Sequence, residues 1–510
     1  MTDGGGSVTR GEVAKGAGLA GLARAGALIE ALAQPLYTWL FGLATYGLYV
    51  VLWGAVNLVS NIVDLAMTAA LQRKVPTARS NEEAYGAVKF ALLVSVLPAT
   101  LLAALAALNA EVVANIFSAA PDDRSSLPTA IRIFAWALPL WTFIEVSTAA
   151  ARARRAFGPE IRLRIFWEQI ARILFALAFF TAGFGNIGLM AAHLSSLALT
   201  AILSVRLLAR YYDLPLLLRA PIPAALARNM LGSGLALLPA SLSRRMLIDG
   251  SPIIINLMLP GARGASAAGL FEIARKISTL PLIVRQAFQY VMGPLSSAQA
   301  KEKRAALGPI YRFASRVSTA MVVPMAGLLS FAGADILSLY RPEAAAALPL
   351  LYILVSARAA EAIVGPATAI VEMTGHRGLP LLNSLVGVAL WALLARWLVP
   401  SLGEIGMALA VGAATIAIAY AATIELQVSD RLSPFDNLLL RGLGIGLCGV
   451  ALMAIVEALS GGPARFAAIL VLWAATSWCT LRFGLSQADR EALGGFARRL
   501  HLVHESHNAR

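Results

Sequence analysis

Two adjacent arginines, Arg244 and Arg245, lie in the middle of the otherwise mostly apolar stretch Met230–Leu259. An arginine at the centre of a bilayer costs at least ~2.5–3.5 kcal/mol, so each side chain must face protein or a watery cavity. The guanidinium fork donates paired hydrogen bonds to phosphate oxygens, which suits a cavity arginine to hold an anionic group. The competing interpretation is that an ion pair with Asp249, four residues beyond Arg245, only joins two helices.

Other charged residues also lie inside apolar stretches. The candidates for a substrate-binding basic lining are Arg24, Arg244, Arg245, Arg275, Lys276 and Arg285. The candidates for ion coupling or ion pairing are Glu30, Asp64, Asp249, Glu272, Arg358 and Glu361. Snorkelling to the membrane surface is the alternative for the basic residues near the ends of a span. A short carboxylate cannot reach as far, so each interior acid is expected to take up a proton or to pair with an arginine.

Three more polar sites have a mainly structural interpretation. Glu145, and Glu168 with Arg172, lie nearer the ends of spans and are expected to organise helix packing. His193 stands alone on an apolar helix, where a satisfied core histidine is favoured over a proton-coupling one. Cys448 and Cys479 show no metal-ligand spacing, and no metal or cofactor is expected.

The composition is that of an all-α, multi-pass membrane protein. Hydrophobic residues make up 58% of the 510 residues and charged residues 14%, and the mean hydropathy is +0.73. Soluble domains usually carry about 25% charged residues. About fourteen apolar segments are long enough to cross a hydrocarbon core of ~30 Å, at residues 17–38, 46–70, 86–108, 130–151, 165–183, 187–208, 229–258, 268–292, 313–333, 347–371, 379–398, 405–424, 439–458 and 465–483.

The distribution of positive charge predicts the orientation. With a cytoplasmic N-terminus, most of the 42 Lys and Arg residues fall on the cytoplasmic side, as the positive-inside rule requires. The outer side receives a small group, Arg124, Arg132, Arg263, Arg341, Arg396 and Arg465. We therefore expect both termini in the cytoplasm, at the cytoplasmic (inner) membrane of a bacterium. The net charge of +14 then needs no nucleic-acid partner.

A weak internal repeat suggests two lobes. Tyr46-Gly-Leu-Tyr49 opens the second span and Ala268-Gly-Leu-Phe271 opens the eighth, as in transporters built from two repeated bundles. The predicted division is a cytoplasmic tail at 1–16, an N-lobe of six spans at 17–208, a linker at 209–228, a C-lobe of six spans at 229–424, two further spans at 425–483 and a cytoplasmic tail at 484–510. We expect a monomer.

The C-terminal tail has an amphipathic pattern. Ser486 is a candidate helix cap, and Leu493, Phe496 and Leu500 are spaced as one apolar face beside Arg498 and Arg499. The pattern indicates a short helix on the inner leaflet. An ordinary solvated tail fits the same residues equally well.

The first seventy residues resemble a known family. The segment Tyr37-Thr-Trp-Leu-Phe-Gly-Leu-Ala-Thr-Tyr-Gly-Leu-Tyr49, followed by Asp64 and Ala69-Ala-Leu-Gln-Arg73, is similar to oligosaccharide flippases of the Wzx type. These proteins belong to the MOP superfamily with the MATE exporters and the lipid II flippase MurJ. The resemblance implies a bilobed MATE-like fold and alternating access of a central cavity. It also implies transfer of polyprenyl-pyrophosphate-linked oligosaccharide units from the inner to the outer leaflet. Membrane lipids, and the polymerase and assembly proteins of a polysaccharide, are the partners this implies.

Two other function classes remain as alternatives. A MATE-like drug exporter or a MurJ-like flippase would share the fold, but an exporter of cations is expected to have an acidic lining. A membrane glycosyltransferase or polymerase would be an enzyme. The chain has Asp122-Asp123 but no Asp-x-Asp motif, and no phosphate-binding loop of the P-loop form. We therefore expect a transporter and not an enzyme.

Overall fold

The computed structural model describes residues 26–154, 161–283, 285, 307–373 and 378–503. The secondary structure of these residues is helical, without strands, which confirms the all-α prediction. Ten helical stretches in the described part are long and apolar enough to cross a membrane, namely Leu43–Val63, Asn81–Leu108, Leu127–Ala153, Gly185–Tyr211, Leu307–Phe331, Pro342–Ile363, Leu379–Leu402, Glu404–Ser429, Asn437–Leu459 and Gly462–Phe483.

The remaining predicted spans, at 17–38, 165–183, 229–258 and 268–292, are interrupted or lie partly outside the described residues. The total of fourteen therefore stays a prediction. The chain is a multi-pass membrane protein.

Contacts divide the chain into two units, which we name by their position in the sequence. The N-terminal unit comprises Gly26–Glu272 and Arg396–Met407, and the C-terminal unit the described residues of Ile273–Ala395 and Ala408–Arg510. The division into lobes at 17–208 and 229–424 stays a prediction.

The first fourteen α-helices of the described chain build the N-terminal unit, and the last of them continues beyond it. They are α1 Gly26–Phe41, α2 Leu43–Val63, α3 Met67–Lys74, α4 Asn81–Leu108, α5 Ala110–Ala114, α6 Pro121–Arg124, α7 Leu127–Phe134, α8 Ala137–Ala153, α9 Glu168–Thr181, α10 Gly188–Tyr211, α11 Leu214–Arg219, α12 Ala224–Arg245, α13 Ser251–Met258 and α14 Gly261–Thr279. Two π-helical segments, Ile161–Trp167 and Met246–Gly250, precede α9 and follow α12.

The remaining helices follow in the C-terminal part of the chain. They are α15 Leu307–Phe331, α16 Gly333–Leu337, α17 Leu348–Ile363, α18 Ala367–Met373, α19 Leu379–Leu402, α20 Glu404–Ser429, α21 Asn437–Leu459, α22 Gly462–Phe483, α23 Gln487–Ala492 and α24 Gly495–Arg499.

Glycines bring α2 into direct backbone contact with α14 and with the π segment after α12. A Cβ atom on Gly47 would lie 1.8 Å from the carbonyl oxygen of Ala265, and one on Gly269 would lie 3.2 Å from the Cα of Gly47. A Cβ on Gly54 would lie 2.8 Å from the carbonyl oxygen of Asp249. Small residues let membrane helices approach this closely. The glycines of the two repeat motifs thus pack against each other.

A buried arginine anchors the C-terminal tail to the C-terminal unit. Arg316 of α15 is paired with Asp436 at 2.6 Å and with Asp489 at 2.8 Å. Asp436 also caps α21 by accepting the backbone N–H of Leu439, and Asp489 completes a capping box with Ser486 at the start of α23. The tail is therefore a folded part of this unit, which excludes an ordinary solvated tail over the described residues.

The glycine contact gives a stability prediction. We expect Gly47→Ala to destabilise the protein by about 1–3 kcal/mol, because the new methyl group overlaps backbone that cannot rotate away. Gly232→Ala is the matched control, since nothing lies within 4 Å of its added Cβ. The measurement is the free energy of unfolding in detergent, and equal stabilities for the two variants would contradict the close contact.

Candidate functional site

An ion-pair network surrounds Glu145 in the N-terminal unit. The Glu145 carboxylate lies 3.5 Å from Nη2 of Arg164 and 3.4 Å from Nη2 of Arg245. Nη1 of Arg245 lies 3.3 Å from Oδ2 of Asp249. Two carboxylates thus face two guanidiniums, and their charges cancel. We call these four residues the Glu145 network.

Departures from regular α-helix accompany the network. Arg245 ends α12, and the π segment Met246–Gly250 that carries Asp249 follows at once. Arg164 lies in the other π segment, Ile161–Trp167, with its guanidinium 4.4 Å from the centre of the Trp141 ring. Single π turns inside membrane helices are frequent at functional sites. Both π segments therefore favour a functional site at the Glu145 network.

Arg244 and Arg245 have different environments although they are adjacent. The Arg245 side chain keeps 31% of its exposure and is held by two acids, whereas Arg244 is exposed. Neighbouring residues on a helix point about 100° apart, which explains why one is absorbed into the network and the other projects from α12.

Asp64 lies at a break between α2 and α3. Its carboxylate accepts hydrogen bonds from the Ser95 hydroxyl at 3.1 Å and the Thr68 hydroxyl at 3.0 Å, and it is 3% exposed. The break is strained, since Leu65 and Ala66 have φ angles of 47° and 55°, where residues other than glycine are rare. Among the described residues, no basic side chain forms an ion pair with Asp64.

A second buried polar cluster involves the tyrosine of the repeat motif. Nη2 of Arg172 lies 2.5 Å from Glu168, and Nη1 donates to the Tyr49 hydroxyl at 3.3 Å. Nδ1 of His193 lies 3.0 Å from the same hydroxyl, and the His193 ring is packed 4.2 Å from that of Trp53. The cluster ties together α2, α9 and α10. Its position in the packed interior fits the structural interpretation of these residues.

In the C-terminal unit, two arginines share one carboxylate. Arg285 and Arg358 both pair with Glu361, the latter at 3.0 Å, and Arg285 also donates to the carbonyl oxygen of Gly365. The Nε atoms of both arginines are buried without a hydrogen-bond partner. This triad carries one net positive charge, so it has capacity for a further anion or acceptor.

The other predicted side chains lie on α14 or outside the described part of the chain. Glu272 is buried, and Arg275 and Lys276 are half-buried along α14. Arg24 and the side chain of Glu30 lie outside the described residues. Sequence reasoning gave Glu145 only a packing role and did not single out Arg164, so it missed both as partners of Arg245. Their position near span ends was the only signal, and it does not specify which helix they meet.

Comparison with solved structures identifies the fold. The lipid II flippase MurJ in an inward closed conformation aligns with a TM-score of 0.72 and 13% identity, over 91% of this chain and 97% of that one. A MOP-superfamily transporter from Pyrococcus furiosus has a TM-score of 0.62 and 14% identity, over 83% and 96%. A variant of a MATE transporter from Vibrio cholerae has a TM-score of 0.61 and 14% identity, over 84% and 99%. The chain therefore has the fold of the MOP-superfamily transporters.

The family follows from the sequence. Residues 39–340 match the family described as "Polysaccharide biosynthesis protein", and the chain belongs to this family. A search of curated protein sequences gave no match. The family match and the shared fold agree with the resemblance seen in the sequence. By their own descriptions, the similar solved structures are a lipid II flippase and transporters.

Glu145 is predicted to stabilise the fold through its two arginines. We expect Glu145→Gln to cost about 2–4 kcal/mol, because Arg164 and Arg245 both lose a carboxylate that is only 15% exposed. Glu111→Gln is the control, since its pair with Arg132 is largely exposed and is expected to contribute at most about 1 kcal/mol. Chemical unfolding of both variants measures the difference, and a similar cost for the two would refute the role given to Glu145.

Proposed function

We propose that this protein is a flippase that moves polyprenyl-pyrophosphate-linked oligosaccharide units from the inner to the outer leaflet of the bacterial cytoplasmic membrane. The family supports polysaccharide biosynthesis as the process. The fold it shares with MurJ supports transfer of a lipid-linked precursor, since MurJ itself is a lipid II flippase. The mechanism we propose is alternating access, with both termini in the cytoplasm.

The observation that carries the proposal is the contrast between Arg244 and Arg245. Arg245 is held by Glu145 and Asp249, whereas the adjacent Arg244 projects from α12 with an exposed side chain. A guanidinium at this depth of a span costs free energy unless water or an anion solvates its charge. We therefore assign Arg244 to pyrophosphate binding and Arg245 to positioning the backbone from which Arg244 projects. Arg24, Arg275, Lys276 and Arg285 stay predicted contributors to headgroup binding.

Arg244 is tested in cells deleted for the gene and complemented with variants. We expect Arg244→Ala to weaken headgroup binding about ten- to hundred-fold, because a hydrogen bond to a charged group contributes roughly 1.5–3 kcal/mol. Surface polysaccharide is then lost while the lipid-linked unit accumulates on the inner leaflet. Arg210→Ala, an exposed arginine at the end of α10, is the control and is expected to restore export.

Each contrary outcome points to one alternative. If the lipid-linked unit is never made, the protein acts in assembly of the unit. If peptidoglycan precursors accumulate instead, the substrate is lipid II, as for MurJ. If polymer export is normal and drug sensitivity rises, the protein is an exporter.

We propose that Asp64 couples transport to a cation, because burial of a charged carboxylate without a basic partner among the described residues is unfavourable. A bound proton or a small cation would remove the cost. Glu30, Asp249, Glu272, Arg358 and Glu361 stay predictions for coupling or ion pairing, with the contacts described above.

The coupling role gives a prediction for Asp64→Asn. The neutral amide mimics the protonated acid, so we expect transport in vesicles to lose its response to an imposed proton or sodium gradient while substrate binding is kept. Glu111→Gln, which removes an exposed carboxylate, serves as the control and should respond normally. An unchanged gradient response in Asp64→Asn would rule out this residue as the coupling site.

A further inference from the structure

The C-terminal tail returns to the side of α22 after the end of that helix. The backbone carbonyl of Leu500 accepts a hydrogen bond from the indole Nε1 of Trp478 at 3.0 Å, and the carbonyl of Leu502 accepts one from Arg482 at 2.9 Å. Leu502 itself is fully buried. The tail is therefore fixed beside the end of a membrane helix at three points, counting the bridge from Arg316 to Asp489.

This anchoring leaves one continuous surface of aromatic and basic side chains. Trp478 and Phe483 are 40% and 42% exposed, and their ring centres lie 6.2 Å apart. The Arg441 guanidinium lies 5.8 Å from the centre of the Phe483 ring. The exposed Arg498 and Arg499 directly precede Leu500, the residue bonded to Trp478. We call this the tail surface; it consists of Arg441, Trp478, Phe483, Arg498, Arg499 and Leu500.

The chemistry of the tail surface indicates its partner. Exposed tryptophan and phenylalanine at the end of a membrane helix are typical of the level of the lipid headgroups. Three arginines at that level attract negative charge, and a guanidinium binds a phosphate through paired hydrogen bonds. A soluble acidic protein would not explain the exposed aromatic side chains, which belong at the boundary with acyl chains.

We propose that the tail surface is a binding site for an anionic phospholipid of the surrounding leaflet. The phosphate is held by Arg498, Arg499 and Arg441, and the glycerol and upper acyl chain lie against Trp478 and Phe483. The ion pairs of Arg316 hold the tail in the position that this requires. The site is separate from the proposed flipping activity and does not depend on it.

The test is lipid titration of the full-length protein in detergent, followed by native mass spectrometry. The probe is phosphatidylglycerol, with phosphatidylcholine as the neutral lipid. We expect Arg498→Gln/Arg499→Gln to raise the Kd of the tightest phosphatidylglycerol site about five-fold for each arginine removed. Phosphatidylcholine binding should not change. Arg441→Gln, on a different helix, is expected to give about a five-fold increase by itself.

The matched control is Arg206→Gln/Arg210→Gln, which removes two exposed arginines from the end of α10 without touching the tail. It should leave the tightest site unchanged. Asp489→Asn removes no positive charge but releases the tail, so it should weaken binding as the double arginine variant does.

Three outcomes would overturn the proposal. An unchanged Kd in both the double variant and Arg441→Gln would show that these arginines do not bind the lipid. An equal increase in Kd in the double variant and in the α10 control would show that the lipid is attracted by overall positive charge and not by a specific site. Full displacement of the lipid by soluble glycerol phosphate at an equal concentration would show that the surface recognises phosphate and not a bilayer lipid.

Discussion

Lipid supplies no hydrogen-bond partners, so every charge that this chain places inside the membrane must be neutralised by another part of the chain, by water or by a ligand. This constraint explains why its interior charges are grouped. Glu145 accepts Arg164 and Arg245, Glu361 accepts Arg285 and Arg358, and Glu168 accepts Arg172. Each group joins helices distant in sequence or fixes one turn of a helix, so the polar interactions also determine which helices pack together.

The balance of acidic and basic side chains differs among these groups, and this difference bears on what each group could bind. The Glu145 network contains two acids and two arginines, whereas the triad around Glu361 contains two arginines and one acid. Asp64 has the opposite imbalance, a buried acid held by two hydroxyl groups. A transporter of an anionic headgroup needs excess positive charge to attract its substrate and a titratable or cation-binding group to couple transport to a gradient.

Close helix contact is the second means of organisation. Gly47 and Gly269 permit backbone contact between α2 and α14, and Gly54 permits contact with the π segment that carries Asp249. Because the π segment lies directly after Arg245, this packing also fixes the position of the Glu145 network. The C-terminal tail is held differently, by the buried Arg316 that bridges two acids and by hydrogen bonds from Trp478 and Arg482, and this leaves its aromatic and basic face exposed.

The sequence alone determined the membrane class, the helical architecture, the family resemblance and the presence of charges at depth. Hydropathy and charge bias are properties of the sequence itself. An arginine exposed to lipid is unfavourable in any helix, so the need for a partner can be inferred before the partner is known. The spacing of Arg245 and Asp249, and of Arg358 and Glu361, also indicated which neighbours on one helix could meet.

Only the tertiary structure decided the pairings across the chain, because helices distant in sequence meet through packing that no local pattern encodes. It selected Glu145 as the shared partner of Arg164 and Arg245. It showed that Arg244 and Arg245 have different environments. It also showed that the tail packs against the C-terminal unit, which the sequence left open between a short amphipathic helix and a solvated tail. In each case the physical reason is that a buried charge takes its partner from whichever helix lies against it.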